Sequence, residues 1–97
     1  DWSLFIWHLA LEKILKVLLL TQNQIIVYTH DLSRLAKKAK IDLTGEQIKQ
    51  LNEITTFSIE ARYDDYKLSF YKKATKEYAE KWIKVSESLI EIIKKNL

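Results

Sequence analysis

The chain has 97 residues, enough for one domain with a single core, but a domain of this size buries only about 60–65% of the surface its unfolded form exposes. No proline, a single glycine at Gly45 and abundant Leu, Ile, Lys and Glu argue for helices throughout. The net charge is +3, and the lack of cysteine excludes a disulfide framework and a thiolate metal site and fits a reducing compartment.

The charge is unevenly placed: residues 1–30 are neutral, 31–41 carry +3, 42–62 carry −2 and 63–97 carry +2. Arg34, Lys37, Lys38 and Lys40 can meet a phosphate backbone, or form the solvated face of a short helix. No charged segment precedes the first apolar run, so no signal peptide is expected, and a cytoplasmic location is. Without an initiator Met, the chain is expected to begin part-way into a longer one.

Residues 1–20 hold the densest apolar content. Trp2, Phe5, Ile6, Leu9, Ile14, Leu15, Leu18 and Leu19 recur at steps of three and four, and Leu4, Trp7, Leu11 and Leu20 widen that face around the cylinder. A narrow polar strip remains, made of His8, Glu12 and Lys16 with Lys13 beside it. Such a helix must be enclosed, by the rest of the chain or by a second copy. Glu12 four residues before Lys16 adds a few tenths of a kcal/mol of helix support. A membrane span is not expected, because charges interrupt the apolar runs short of the roughly 18 residues needed.

The helix is predicted to run out at Thr21-Gln22-Asn23-Gln24, whose side chains compete for backbone hydrogen bonds. Residues 25–28, Ile-Ile-Val-Tyr, are extended in propensity but have no strand to pair with, and read as an apolar connector laid across the core. Thr29 is the expected N-cap of a second helix of roughly three turns, with Asp31 in its first turn and Leu32, Leu35, Ala36 and Ala39 as its buried stripe. Thr44 and Gln47 have the spacing of a capping box and open a third helix. Its inward stripe is Ile48, Leu51, Ile54 or Thr55, Ser58 and Ala61 or Arg62, with Gln47, Gln50 and Glu53 outside and an end near Ala61-Arg62. Residues 63–70 lack helical periodicity and read as a loop held down by three aromatic rings. The last helix is expected from Ala74-Thr75, capped by Thr75. Tyr78, Trp82, Val85, Leu89 and Ile92 form one stripe; Ala79, Ile83, Ser86, Ile90 and Ile93 form its neighbour. Glu77 with Lys81, Glu80 with Lys84 and Glu91 with Lys95 are Glu-before-Lys pairs four apart. Together these elements predict an all-α fold, an antiparallel up-and-down bundle of four helices forming one domain over residues 1–97.

Two constellations can carry chemistry. In Thr29-His30-Asp31, His30 can act as an acid or base or contact a phosphate, the alternative being a capping segment whose imidazole fills a hydrogen bond. In the run from Ala61 to Tyr66, Arg62 can grip a phosphate bidentately and Tyr63 can stack on a base; the alternative is a structural salt bridge to Glu12, Asp64 or Asp65. His8 and Glu12 have helical ligand spacing, but without a third ligand they make a weak zinc signal. A Gly-rich phosphate loop and a Ser or Cys nucleophile motif are both absent.

Taken in order, Asp1-Trp2 followed by the apolar helix with Leu11-Glu12-Lys13-Ile14-Leu15-Lys16, then Thr29-His30-Asp31-Leu32 with Leu35, then Ala61-Arg62-Tyr63, then a long amphipathic last helix, resemble the HEPN domain, the higher eukaryotes and prokaryotes nucleotide-binding domain. The resemblance implies a bundle of four or five helices that commonly dimerises, often encoded beside a minimal nucleotidyltransferase as a toxin and antitoxin pair. It also implies, for many members, an RNase site at the dimer interface built on an Arg followed four to six residues later by His. This chain departs from that motif: no His follows Arg62 or Arg34 at such a distance. Family members usually have a helix before the one that opens this sequence; if it is truly missing, a second copy in a homodimer is expected to cover Trp2, Phe5 and Leu9. The expectation is a non-catalytic module that binds a nucleotide or a nucleotidyltransferase partner through Arg62, His30, Lys16 and Tyr63, with Glu12 and Asp31 beside them, and without metal or cofactor. The alternatives are an RNase toxin with a displaced site, in which His30 and Arg62 converge, and a purely structural oligomerisation module.

Overall fold

A computed structural model describes residues 2–25, 28–60 and 76–97. Among these residues all regular structure is helical: α1 is Trp2–Thr21, α2 is Leu32–Lys38, α3 is Gly45–Glu60 and α4 is Lys76–Lys94. The fold is an all-α bundle in which α1 packs against each of the other three helices, α2 also packs on α3, and α3 meets α4 only lightly.

The inward face of α1 is Leu4, Leu11, Leu15, Leu18 and Leu19, all essentially inaccessible to solvent. The polar strip expected along the edge of this helix is turned inward instead: His8 is 0% exposed and Glu12 7%, while Ile6 at 60%, Val17 at 48% and Leu20 at 56% face out. When nearly every position is apolar, periodicity does not choose the buried face. The choice falls to whichever polar groups find partners inside, because a buried carboxylate without partners is far more costly than an exposed Ile.

The helix ends are built locally. Asn23 takes φ 59, Gln24 N–H donates to Leu19 O at 3.0 Å and Asn23 N–H to Leu20 O at 3.0 Å, closing α1 in a left-handed turn. The same device closes α2, with Lys40 at φ 58 and Ile41 N–H donating to Ala36 O at 3.2 Å. The amides of Gln22 and Gln24 then donate to Ala39 O at 2.8 Å and Lys38 O at 3.0 Å, tying the end of α1 to the end of α2. The capping box opens α3 as expected: Thr44 N–H donates to Gln47 Oε1 at 2.9 Å and Gln47 N–H to Thr44 Oγ1 at 3.1 Å.

Leu32, Leu35, Ala36 and Ala39 of the second stripe are all buried, although α2 spans two turns rather than three. On α3, Leu51, Ile54 and Phe57 are buried, and Ile48, expected inside, is 43% exposed. Glu53, expected outside, accepts a hydrogen bond from the Tyr78 hydroxyl. On α4 the buried line is Ala79, Trp82, Ser86, Leu89 and Ile93, which runs between the two predicted stripes. Phe57 packs edge-on against Trp82 at 6.0 Å and Tyr78 at 6.2 Å. Glu91 pairs with Lys94 at 3.6 Å, one position short of the expected Lys95. Ile25 and Tyr28, expected within a connector laid on the core, are instead 85% and 99% exposed. The expected end of the third helix at Ala61-Arg62, the aromatic loop and the Thr75 cap lie outside the described residues. Among the described residues no helix is long and apolar enough to cross a membrane.

Candidate functional site

Spacing of four places His8, Glu12 and Lys16 along one face of α1. The segment before α2 lies against that face, and the two are joined by hydrogen bonds. His8 Nε2 lies 3.1 Å from His30 O; a carbonyl only accepts, so this nitrogen carries its proton and donates. The His30 ring contributes Nδ1 at 2.7 Å from Glu12 Oε1, and Lys16 Nζ donates to Glu12 Oε2 at 3.1 Å. Each oxygen of a nearly buried carboxylate is thus matched by a nitrogen donor, the arrangement that makes such a burial tolerable.

Burial pushes the Glu12 carboxyl up, but the hydrogen bonds from His30 and Lys16, together with their charges, outweigh it and hold the group below its usual value of 4.5. Lys16 Nζ also stands 5.9 Å from the centroid of the Tyr28 ring, within cation–π range. The result is a gradient from inside to outside: His8 buried, Glu12 nearly so, then Lys16 and His30 with side chains 25% and 42% exposed, and Tyr28 fully in solvent. An ammonium, an imidazole braced by a carboxylate and an aromatic face thus share one edge of α1. Such a set can meet a phosphate and a base, or move a proton.

Of the six residues expected to bind a ligand, Lys16, Glu12 and His30 are therefore brought together. Asp31 is engaged elsewhere, as the N-cap of α2, its Oδ1 accepting from Arg34 N–H at 3.3 Å and Ser33 Oγ–H at 2.9 Å. The expected cap, Thr29, sits two residues earlier and accepts from Asp31 N–H at 3.1 Å, so the helix starts later than predicted. Leu32 N–H is taken by Thr55 Oγ1 of α3 at 3.1 Å, which fixes the segment from the other side. Arg62 and Tyr63 lie outside the described residues. Sequence spacing offers His8 only as a metal ligand, yet it anchors the His30 backbone, and nothing in the spacing singles out Tyr28. The signal for His8 is its place four residues before Glu12; none marks Tyr28. Among the described residues no three His, Asp or Glu side chains are placed to hold a metal ion.

Neither a curated protein nor a solved structure matches the chain. The HEPN domain family model matches it over residues 1–97, its whole length, and the all-α bundle agrees with that family's fold. The chain belongs to the HEPN domain family.

Proposed function

We propose that this HEPN domain is a non-catalytic module that binds a nucleotide along the Lys16–His30–Tyr28 edge and works beside a minimal nucleotidyltransferase in a toxin and antitoxin type system. The observation that carries the reading is the juxtaposition of the Lys16 ammonium with the half-exposed His30 imidazole, both held by the Glu12 carboxylate, and with the exposed Tyr28 ring beside Lys16. In this reading Lys16 and His30 meet phosphate oxygens, Tyr28 offers a stacking face, and Glu12 holds the cations without touching the ligand. Arg62 and Tyr63 remain proposed as a second phosphate contact and a second ring. Titration calorimetry with ATP tests it: binding heat is expected, with affinity falling at least tenfold in Lys16→Ala. No heat with any nucleoside triphosphate, together with no co-purification of a neighbouring transferase, removes the reading.

One observation favours a second reading, an RNase of the same fold. His30 Nδ1 lies 2.7 Å from Glu12 Oε1, so a carboxylate braces this imidazole, an arrangement used by general acids and bases. That reading requires RNA cleavage that disappears in His30→Ala; intact total RNA at high protein concentration rules it out.

We also propose a homodimer. Its support is the outward line of Ile6, Val17 and Leu20 on α1, a broader apolar exposure than that of the half-buried Phe5 and Leu9 named from the sequence. A sedimentation mass of one chain at micromolar concentration contradicts it.

A further inference from the structure

Between α2 and the start of α3 lies an open cleft of about 570 Å³, formed by residues outside the His30 cluster. Its floor is apolar. Ala36 and Ile41 are buried at its base, Leu43 is half-buried and Ile48 is 43% exposed along the wall. Two cations, Arg34 and Lys37, stand over it one helical turn apart, both exposed and neither in an ion pair with any described residue. Lys38 and Lys40 continue the same charge, so that four cations fall within the seven positions 34–40.

The volume is within the range of small-ligand sites, but the polar groups do not match one. Small-molecule pockets bring a few buried donors to converge on a head group. Here Asp31 is spent on capping α2, and Arg34 and Lys37 are spread along the helix in solvent. A row of cations beside an apolar trough instead matches a row of carboxylates beside apolar anchors, the pattern of an amphipathic helix laid in a groove.

We infer that this cleft is a docking groove for an acidic amphipathic helix of a partner protein, whose apolar side chains enter over Leu43 and Ile48 while its carboxylates meet Arg34 and Lys37. The surface is distinct from the proposed nucleotide edge, so either can fail without the other.

The test is selection of peptides from a random library on the intact chain, followed by affinity and NMR mapping with the best peptide synthesised. Enriched sequences are expected to combine Asp or Glu with apolar residues three and four apart, and to perturb the amides of residues 34–48. Affinity is expected to fall at least tenfold in Arg34→Gln/Lys37→Gln and in Ile48→Ser, all exposed positions whose folding is checked by circular dichroism. A peptide with its acidic residues replaced by Lys is expected not to bind. Selection without acidic bias, or mapping to the Ile6–Leu20 face of α1, overturns the inference. So does saturable binding of dodecanoate in the cleft without any enriched peptide, which assigns it to a small amphiphile.

Discussion

Glu12 decides how the first helix is oriented. A carboxylate at this depth is tolerable only because His30 and Lys16 each supply a donor. Replacing it by Gln keeps the shape but puts an amide N–H₂ where a donor already stands. The cost expected is about 1.5–3 kcal/mol, the range for hydrogen bonds to charged groups, read from urea denaturation. The same residue sets a pH dependence. Its folded pKa lies below its ordinary value of 4.5, so the folded state holds the ionised form more tightly than the unfolded chain does. Its contribution is therefore complete above pH 4.5 and is lost as pH falls through the depressed folded value. Stability of the wild-type chain is expected to drop more steeply than that of Glu12→Gln over that acidic interval; parallel curves contradict the pairing. None of this is legible from spacing alone. Helical periodicity puts His8, Glu12 and Lys16 on one line, but the partner that draws the line inward is His30, eighteen residues beyond Glu12 and on another element.

At the level of the helix, local chemistry is readable where its signal is local. Thr44 and Gln47 are three apart and satisfy each other's backbone N–H, so the start of α3 is visible in the chain itself. Thr44→Ala is expected to cost about 1 kcal/mol in a thermal or urea melt. The start of α2 differs from the expected one because Thr29 and Asp31 are both competent caps, and which one is used depends on Leu32 N–H being taken by Thr55 of α3. The end of α2 carries a strained residue, Lys40 at φ 58, where a side chain crowds the backbone. Lys40→Gly is expected to stabilise the fold by about 0.5–1 kcal/mol in the same melts, since glycine enters that conformation freely. Destabilisation would mean that the lysine side chain contributes a contact of its own. On α4 the buried line falls between the two predicted stripes because adjacent stripes of equal hydrophobicity bound a face without choosing its centre.

For the whole molecule, α1 is the element on which the others assemble. Leu15 is fully buried midway along it, so Leu15→Ala is expected to cost about 2–5 kcal/mol, a large part of the roughly 5–15 kcal/mol that stabilises a small domain. The all-helical class follows directly from the near absence of breakers and the long apolar periodicities. The contact of Lys16 with Tyr28 does not, because the two are twelve residues apart and meet only in the folded chain. In the proposed function Glu12 gathers Lys16 and His30 into a nucleotide-binding edge beside Tyr28. Ring carbon and proton NMR of His30 and Tyr28 during addition of ATP tests it most directly. Both rings are expected to shift together and to saturate, with the response abolished in Lys16→Ala; rings that stay unmoved at millimolar ATP contradict it.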